Sequence, residues 1–461
     1  MVNVSDSNVL DDAAGNTDAG SDTKAVEAVS LSHWLPSTTV ERYGRVVQAI
    51  GTSIRVTGIN ARIGQRCLLR DPDTANELLA DVVGIEGGEL ILYPLGTLSG
   101  ISLNSTVQLI PSAHQIPFSN ALLGRVLDGF GKPLDQQPVE TTQSLLPLEA
   151  DAPSPLARKV VDKVFATGIR CIDSLLTTGV GQRMGIFASA GCGKSTLLSM
   201  LSNSQAADVV VLALVGERGR EVGEFLQLFS ESTNREKVVV VVATSDRPAM
   251  ERVHAAKTAT ALAEGYRAEG KNVLLLMDSV TRYARALREI GLSVGEPPVR
   301  RGFPPSVFTE LPKLFERTGN DAHGSITAFY TVLVEDEENS DPITEEVRSI
   351  LDGHIVLTSK LGETGHYPAI DVLASKSRLY TALADKDQQQ AARKIRQLLA
   401  KYKDIEFLIH MGEYEAGADA MVDEAVNKHD SINAFLCQSH TDTIDLQQTL
   451  TELQTVCGAS R

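Results

Sequence analysis

The chain has 461 residues, of which 59 are acidic and 43 are Lys or Arg, so its formal net charge is −16. Because phosphate backbones attract basic surfaces, this charge argues against a general nucleic-acid-binding protein, and no nucleic-acid partner is expected. The five scattered cysteines form no CxxC pair, no apolar run approaches the ~20 residues of a membrane-spanning helix, and the N-terminus resembles no secretory signal, so a cytoplasmic chain is expected.

The N-terminal part of the chain predicts a tail, a barrel and a linker, in that order. Residues 1–38 hold six acidic side chains against Lys24, which predicts a disordered acidic tail that serves docking or solubility. Residues 39–112 carry short strand-like runs between turn signals, a spacing typical of a small closed β-barrel. The predicted strands are 44–49, 53–57, 65–69, 78–85, 89–93 and 106–110. Residues 113–156 are rich in Gly and Pro and are expected to be a linker.

The rest of the chain predicts an α/β domain followed by helices. Over residues 157–383, unbroken Val/Leu runs alternate with helical patterns, which indicates a parallel sheet buried on both faces. The predicted strands are 184–187, 209–215, 238–243, 273–277, 326–334 and 355–357. Residues 384–461 lack strand signals, and apolar side chains recur there at helical spacing, so this end is expected to be an all-α domain.

A phosphate-binding loop is predicted where the first of these strands meets a helix predicted over 195–204. Residues 188–196 read Ala-Ser-Ala-Gly-Cys-Gly-Lys-Ser-Thr, and strand–loop–helix is the context that a P-loop requires. Glycines let backbone N–H groups approach phosphate oxygens, and the helix N-terminus adds a positive dipole. Lys194 can then reach the β- and γ-phosphates of ATP, and Ser195 can bind Mg²⁺. Ala188 stands where such loops usually have Gly, so we expect a negative φ there.

Two carboxylates follow other predicted strands. Asp278 ends the strand 273–277 and is expected beside the P-loop, where it can hold Mg²⁺ through water. Glu217 follows the strand 209–215 and could deprotonate the attacking water, which contributes ~10²–10⁴ in rate. The plainer alternatives are a helix cap for Asp278 and an ion pair with Arg218 or Arg220 for Glu217. Together with the P-loop, these residues predict an Mg-ATP hydrolase.

One further motif links the chain to a known family. Residues 368–377 read Pro-Ala-Ile-Asp-Val-Leu-Ala-Ser-Lys-Ser, which resembles the signature of the ATP synthase α/β family. With the Gly-Glu-Arg motif at 216–218 and the P-loop, the chain resembles the ATPases of type III protein secretion. The resemblance implies a RecA-like P-loop core with an N-terminal β-barrel and a C-terminal helical domain. The segment 95–102, Leu-Gly-Thr-Leu-Ser-Gly-Ile-Ser, resembles the injectisome branch, which favours an injectisome ATPase over a flagellar one.

The resemblance also assigns roles to residues. Lys194, Ser195 and Asp278 keep the roles given above, and the loop residues Ala190, Gly191, Cys192, Gly193 and Thr196 join them as nucleotide-binding residues. Glu217 looks like the catalytic carboxylate, and Arg218 like its neighbour near the phosphate. Arg378 resembles an arginine finger that crosses a subunit interface, worth ~10³–10⁵ in rate; its alternative is a surface ion pair. Tyr367 resembles the aromatic that stacks on adenine; its alternative is a core tyrosine.

Partners follow from the same resemblance. A chain with both Glu217 and Arg378 could form a catalytically complete homohexamer. Its implied partners are the stator and central stalk proteins of a secretion apparatus and export chaperone–cargo complexes, at the cytoplasmic face of the inner membrane. Chaperone release and effector unfolding or engagement are the expected work. The Gly/Pro-rich stretch 291–305 is expected to be a loop that offers Val294 and Glu296 to the pore, or a simple linker.

Other functions stay open on sequence grounds. A catalytic subunit of a rotary ATP synthase would share the same motifs. A Rho-like ring helicase would need a basic and aromatic nucleic-acid surface, which the predicted barrel lacks. A non-enzymatic structural subunit is the remaining class.

Overall fold

The computed structural model describes residues 42–110, 114–135, 144–189, 191–230, 234–334, 341–417 and 419–458. The expected acidic tail and Ala190 of the P-loop lie outside the described residues. The described strands are β1 (Tyr43–Ile50), β2 (Ser53–Thr57), β3 (Arg66–Arg70), β4 (Glu77–Glu86), β5 (Glu89–Pro94), β6 (Thr106–Leu109), β7 (Gln115–Phe118), β8 (Val126–Asp128), β9 (Ser144–Pro147), β10 (Arg183–Ala188), β11 (Val209–Val215), β12 (Val238–Ala243), β13 (Asn272–Asp278), β14 (Gly319–Asn320), β15 (Ser325–Leu333), β16 (Gly353–Leu357) and β17 (Lys376–Ser377). The helices are α1 (Arg170–Leu175), α2 (Lys194–Ser202), α3 (Gly219–Ser230), α4 (Ala249–Ala268), α5 (Val280–Ser293), α6 (Pro305–Glu316), α7 (Pro342–Ile350), α8 (Ser359–Glu363), α9 (Tyr380–Leu383), α10 (Lys386–Met411), α11 (Ala420–Leu436) and α12 (Leu446–Cys457).

The first six strands close into a barrel in the order β1-β2-β5-β4-β3-β6, and all of their pairings are antiparallel. Side chains alternate along each strand, so that Ile54 and Val56 of β2 are fully buried while Arg55 between them is not. Closure pairs both edges of the sheet and leaves an apolar interior. The predicted barrel is confirmed, and each of its six strands ends within one residue of its predicted bounds.

The central sheet follows the order β17-β16-β10-β15-β13-β11-β12-β8, with β14 paired to β15. The strands from β16 to β8 run parallel. Every side chain of β11 is buried. Its odd-numbered residues pack into a core formed with α4, α5 and α6, and its even-numbered residues into a second core formed with α2 and α3. Two covered faces explain why the sequence of β11 shows no polar alternation.

The segment 113–156 differs from its expected role as a linker. Its strand β8 pairs with β12 and forms one end of the central sheet, while β7 and β9 pair with each other. Because β8 has only three residues, it is too short for its hydrophobic pattern to stand out from the surrounding Gly and Pro residues.

The C-terminal region is helical, as predicted. Buried side chains of α10, including Ile395 and Leu398, share a core with the central sheet. The Gln388 side chain donates to the backbone carbonyls of Asp173 at 3.1 Å and of Ser174 at 2.9 Å. The helices therefore pack directly against the α/β part. None of the described helices is long and apolar enough to span a membrane.

The loop expected over residues 291–305 is shorter than predicted, because helices occupy both of its ends. Helix α5 continues to Ser293, and α6 begins at Pro305. Between them, Glu296 accepts a hydrogen bond from the backbone N–H of Ser306 at 3.3 Å. This carboxylate therefore lies at the N-terminus of α6, where the helix dipole favours a negative charge. The pore-facing role of Val294 and Glu296 stays a prediction.

Candidate nucleotide site

Three predicted site residues meet at the carboxyl edge of the central sheet. β10 leads into the P-loop, β11 into Glu217, and β13 ends in Asp278. Because these strands run parallel, with β15 between β10 and β13, their carboxyl ends lie along one edge. Ligands of open α/β sheets bind at this edge.

The P-loop has the backbone form that its sequence predicts. Ala188 is the last residue of β10 and is not among the described residues with positive φ, which agrees with the expected negative φ. Gly191 and Gly193 adopt φ values of 83° and 80°, a region that favours glycine. Helix α2 begins directly afterwards at Lys194, so Ser195 lies exposed in its first turn while Cys192 is buried.

Lys194 lies between the two predicted carboxylates. Its Nζ donates a hydrogen bond to Oδ1 of Asp278 at 2.7 Å and lies 3.5 Å from Oε1 of Glu217. Glu217 is 5% exposed and Asp278 is 4% exposed. The three groups thus form one buried charge cluster at the mouth of the P-loop.

Burial and mutual repulsion shift the protonation of this cluster. Burial, together with the nearby charge of Asp278, raises the pKa of Glu217 to about 7. Burial opposes the charge of Lys194, but Asp278 and Glu217 outweigh it and raise the pKa of the lysine. A carboxylate that titrates near neutral pH beside a phosphate loop has the properties of a general base.

The cluster also offers the oxygen ligands that a magnesium ion requires. Asp278 and Glu217 supply carboxylate oxygens, and Ser195 a hydroxyl, which are the donor types that Mg²⁺ prefers. Oε1 of Glu217 is buried and has no hydrogen-bond partner among the described residues. Such an orphaned oxygen fits a site that is completed by water, metal or substrate.

Arg282 is a member of this cluster that the sequence did not reveal. Its Nε lies 4.0 Å from Oε1 of Glu217. Gly216 makes this approach possible, because a Cβ at that glycine would come within 2.9 Å of Cβ of Arg282. Gly216 also has a φ of 71°. The glycine of the Gly-Glu-Arg motif therefore admits an arginine from α5 beside the carboxylate of Glu217.

Arg218 is placed outside the cluster. Its side chain is 72% exposed and pairs with Glu221 at 3.3 Å, while Arg220 lies 3.6 Å from Glu224. The plainer alternative for Glu217, an ion pair with either arginine, is therefore not the one observed. The phosphate role of Arg218 stays a prediction.

Tyr367 borders a cavity beside the P-loop. Its ring lies so close to Gly193 that a Cβ there would meet Cε1 at 3.3 Å. The cavity has a volume of about 280 Å³, and its wall is shared by Thr196 of α2 and by Gln438, Ser439 and His440 after α11. Tyr367 is 43% exposed, so it is not the core tyrosine of the plainer alternative.

Gln438 joins this cavity to the start of α1. Its backbone N–H donates to the carbonyl oxygen of Tyr367 at 2.8 Å, and its side-chain amide donates to the carbonyl oxygen of Gly168 at 2.8 Å. The segment after α11 is thus bonded both to the wall of the cavity and to the α/β part. A larger cavity of about 870 Å³ lies between β16 and the helices α10 and α11, but none of the three clustered groups lines it.

Arg378 lies at the opposite edge of the sheet from the P-loop. It follows β17, whose Ser377 pairs with Gly353 at the start of β16, whereas Leu357 at the end of β16 pairs with Ala188. At about 3.3 Å per residue, these two levels are on the order of 13 Å apart along the strand. Arg378 is exposed, and its guanidinium donates to the carbonyl oxygens of Arg348 and Ser349 at the end of α7. It is therefore not placed to serve the P-loop of its own chain.

Comparisons with known proteins match both the α/β part of the chain and its C-terminal helices. The model of the ATP synthase alpha/beta family, nucleotide-binding domain, matches residues 168–377, and that of the T3SS EscN ATPase C-terminal domain matches residues 384–455. A type 3 secretion system ATPase from Xanthomonas euvesicatoria is 49% identical over 414 residues, which cover 90% of this chain and 93% of the relative. A flagellum-specific ATP synthase from Salmonella typhimurium is 44% identical over 428 residues, which cover 90% and 94%.

Solved structures give the same result. The assembled ATPase EscN of the enteropathogenic E. coli type III secretion system matches with a TM-score of 0.85 and 48% identity, covering 90% of this chain and 100% of that one. EscN in complex with its central stalk EscO matches with a TM-score of 0.83 and 47% identity, again over 90% and 100%.

Proposed function

The chain belongs to the type III secretion ATPase family, and we propose that it hydrolyses Mg-ATP as a homohexamer whose active sites each require a neighbouring copy. As a member of this family it is an ATPase that drives type III protein export. The observation that carries the proposal is the buried cluster of Lys194, Glu217 and Asp278 beside the P-loop, with Arg378 at the opposite edge of the sheet.

The cluster accounts for the hydrolytic step. When the phosphates of ATP enter the P-loop, they offer Lys194 a stronger negative partner than the carboxylates it contacts now. Glu217, released from this lysine and close to the γ-phosphate, orients the attacking water and accepts its proton. The charge of Arg282 keeps the carboxylate oriented toward the phosphate. A magnesium ion, held by Ser195 and through water by Asp278, would offset negative charge on the phosphate oxygens.

Arg378 supplies the group that a single chain lacks. A guanidinium aimed at the transferring phosphoryl group stabilises charge in the transition state. Because Arg378 and the P-loop lie on opposite edges of the sheet, a head-to-tail ring would bring the arginine of one copy to the phosphate loop of the next. Tyr367 and the segment 438–440 would enclose the adenine.

The proposed setting follows from the relatives. EscN has been seen assembled and bound to a central stalk, and we infer an equivalent stalk for this chain. We further infer attachment through stator proteins to the cytoplasmic face of the inner membrane, and chaperone release and effector unfolding as the work done. A rotary ATP synthase subunit and a Rho-like helicase are less supported, because residues 384–455 match the model of the T3SS EscN ATPase C-terminal domain and the EscN structure covers 90% of this chain.

A subunit-mixing experiment tests the shared site. Glu217→Gln lacks the base but keeps the finger, and Arg378→Ala lacks the finger but keeps the base. Each variant alone should lose almost all hydrolysis, and a 1:1 mixture should recover about one quarter of wild-type activity, because a random ring leaves that share of its heterologous interfaces intact.

The matched control is Lys376→Ala, an exposed neighbour of Arg378 on β17, which should keep full activity. If the mixture stayed as inactive as its components while forming rings of normal size, completion by a neighbour would be disproved.

A further inference from the structure

The strand β15 brings a threonine hydroxyl into the charge cluster. It lies between the P-loop strand β10 and the strand β13, which ends in Asp278. Thr331 on β15 is 0% exposed, and its Oγ1 donates a hydrogen bond to Oδ1 of Asp278 at 2.7 Å. The same hydroxyl lies 3.3 Å from the carbonyl oxygen of Met277. Because a hydroxyl has one proton and the carboxylate is charged and closer, the bond to Asp278 is the stronger one.

We propose that Thr331 is a positioning residue that fixes the Asp278 carboxylate for magnesium binding. The inference rests on the proposed Mg-ATPase function and adds a residue that neither the motifs nor the family resemblance assigned. It concerns one carboxylate oxygen, Oδ1, which receives both the hydroxyl of Thr331 and the ammonium of Lys194. With Oδ1 occupied in this way, Oδ2 is left as the oxygen that can face a metal-bound water.

Thr331 matters most once nucleotide is bound. In the present structure Asp278 is held from two sides, by Lys194 and by Thr331. In the proposed mechanism Lys194 turns toward the phosphates when ATP binds, so the carboxylate loses its cationic partner at the moment when magnesium must be held. The hydroxyl of Thr331 belongs to a different strand and is not drawn toward the phosphates. It therefore remains as the bond that keeps Asp278 in place.

The strand that carries Thr331 is itself tied to the loop after Asp278. The backbone N–H of Leu333 donates to Oγ1 of Thr281, in the first turn of α5, at 2.9 Å. Two threonine contacts, one from each side, thus lock the end of β15 to the turn between β13 and α5. A donor on so constrained a backbone can hold a carboxylate orientation, as hydrogen-bond partners of metal ligands commonly do.

The test compares variants that differ by one oxygen atom. Thr331→Ser keeps the hydroxyl and Thr331→Ala removes it, while both remove the methyl group; Thr331→Val keeps the shape. The measured quantity is the Kd of a fluorescent ADP analogue, with Mg²⁺ and with excess EDTA. In EDTA, all variants should bind within about twofold of wild type. The ratio of the Kd in EDTA to the Kd with Mg²⁺ should fall by about tenfold in the alanine and valine variants. It should stay near the wild-type ratio in the serine variant.

The matched control lies on the same strand and the same face. Thr327→Val removes a hydroxyl that accepts from the backbone N–H of Gly181 at 2.9 Å, away from the cluster, and it should leave the ratio unchanged. Equal ratios in the serine and alanine variants would overturn the inference, as would an equal loss in Thr327→Val. A wild-type protein that bound nucleotide equally well without Mg²⁺ would instead overturn the magnesium role in the proposed function, and the inference with it.

Discussion

At the scale of single residues, the site places one lysine between two carboxylates and so separates their tasks. Asp278 accepts hydrogen bonds from the ammonium group of Lys194 and from the hydroxyl of Thr331. Glu217 keeps an oxygen without a hydrogen-bond partner among the residues described, and has its pKa raised to about 7. Environments that differ in this way support the proposed division of roles, proton transfer for Glu217 and metal binding for Asp278.

The first prediction concerns Glu217→Gln. The amide keeps the shape of the side chain but cannot accept a proton, so kcat should fall by ~10²–10⁴, while the affinity for a fluorescent ATP analogue stays within a few-fold. Steady-state hydrolysis and equilibrium titration measure the two quantities. Glu224→Gln, which changes an exposed carboxylate 3.6 Å from Nε of Arg220, should leave both unchanged. Hydrolysis by Glu217→Gln at more than about one tenth of the wild-type rate would remove Glu217 from the role of base.

The second prediction is a pH dependence. Because Glu217 must be ionised to accept a proton and its pKa is raised to about 7, kcat/KM should rise with pH through that region and fall about tenfold per unit below it. Arg282→Met removes a positive charge that lowers this pKa, so its rising limb should move to higher pH. A limb that moved to lower pH, or a wild-type profile that stayed flat between about pH 6 and 8, would contradict the assignment.

Sequence reasoning found the residues that follow strands in recognisable patterns. Glu217 and Asp278 lie at the ends of buried apolar runs, and Lys194 follows another such run through the P-loop, so their meeting at one edge could be anticipated. Arg282 and Thr331 could not be, because each reaches the site from an element whose own pattern is ordinary: one lies on the inner face of a helix, the other within a strand. A buried polar residue late in the strand 326–334 was the only available signal for Thr331.

At the scale of elements, the joint between barrel and α/β part is a buried polar cluster. Oδ1 of Asp81 on β4 forms an ion pair with Nε of Arg66 on β3 at 2.8 Å. Its Oδ2 lies 2.7 Å from Nε2 of His254 on α4. The ring of His114 stacks on that of His254, with 5.1 Å between centroids. Burial lowers the pKa of both histidines, so they are neutral near pH 7 and act as hydrogen-bonding groups.

The third prediction compares two ion pairs that join the same two strands. Asp81→Asn leaves Arg66 and His254 facing a neutral group at a site where Asp81 is 3% exposed, and should lower the free energy of unfolding by about 3 kcal/mol. Glu77→Gln breaks the pair of Glu77 with Arg70, whose side chains are 56% and 53% exposed, and should change stability little, because exposed pairs contribute little. Denaturant unfolding followed by fluorescence measures both; equal losses would show that burial does not decide the difference.

The elements themselves were largely predictable. Most strands of the barrel and of the central sheet are visible in the sequence as apolar or alternating runs of about the same length. This is because burial on one or both faces of a strand restricts its residues to apolar ones at the buried positions. The strand β8 was not predicted, because three residues are too few to show a hydrophobic period. The continuation of helix α5 to Ser293 was not predicted either, because Gly291 and the prolines after it are typical of a loop.

At the scale of the whole molecule, the proposed finger role of Arg378 would make oligomerisation a condition for catalysis. The arginine is level with the start of β10, whereas the phosphate loop follows its end. The fold therefore holds Arg378 and the phosphate loop apart within one chain, and on the proposed function only a neighbouring copy brings them together.

The fourth prediction is a concentration dependence. Turnover per molecule should rise with protein concentration and reach a plateau where light scattering shows full assembly, because dilute chains lack the finger of a neighbour. Arg378→Ala should remain low, by about 10³-fold at the plateau, and should assemble over the same concentration range. Undiminished turnover by monomers would contradict the prediction.

The bonds of Gln438 have a mechanical consequence. This one residue, which follows α11, is bonded to Tyr367 at the wall of the proposed adenine cavity and to Gly168 before α1. A pull on the C-terminal helices would therefore strain the bonds that shape this cavity. Linkage is reciprocal: if tension on those helices loosens ADP, then ADP must resist that tension by the same free energy. Any partner that pulled on these helices in this way would therefore promote the release of ADP.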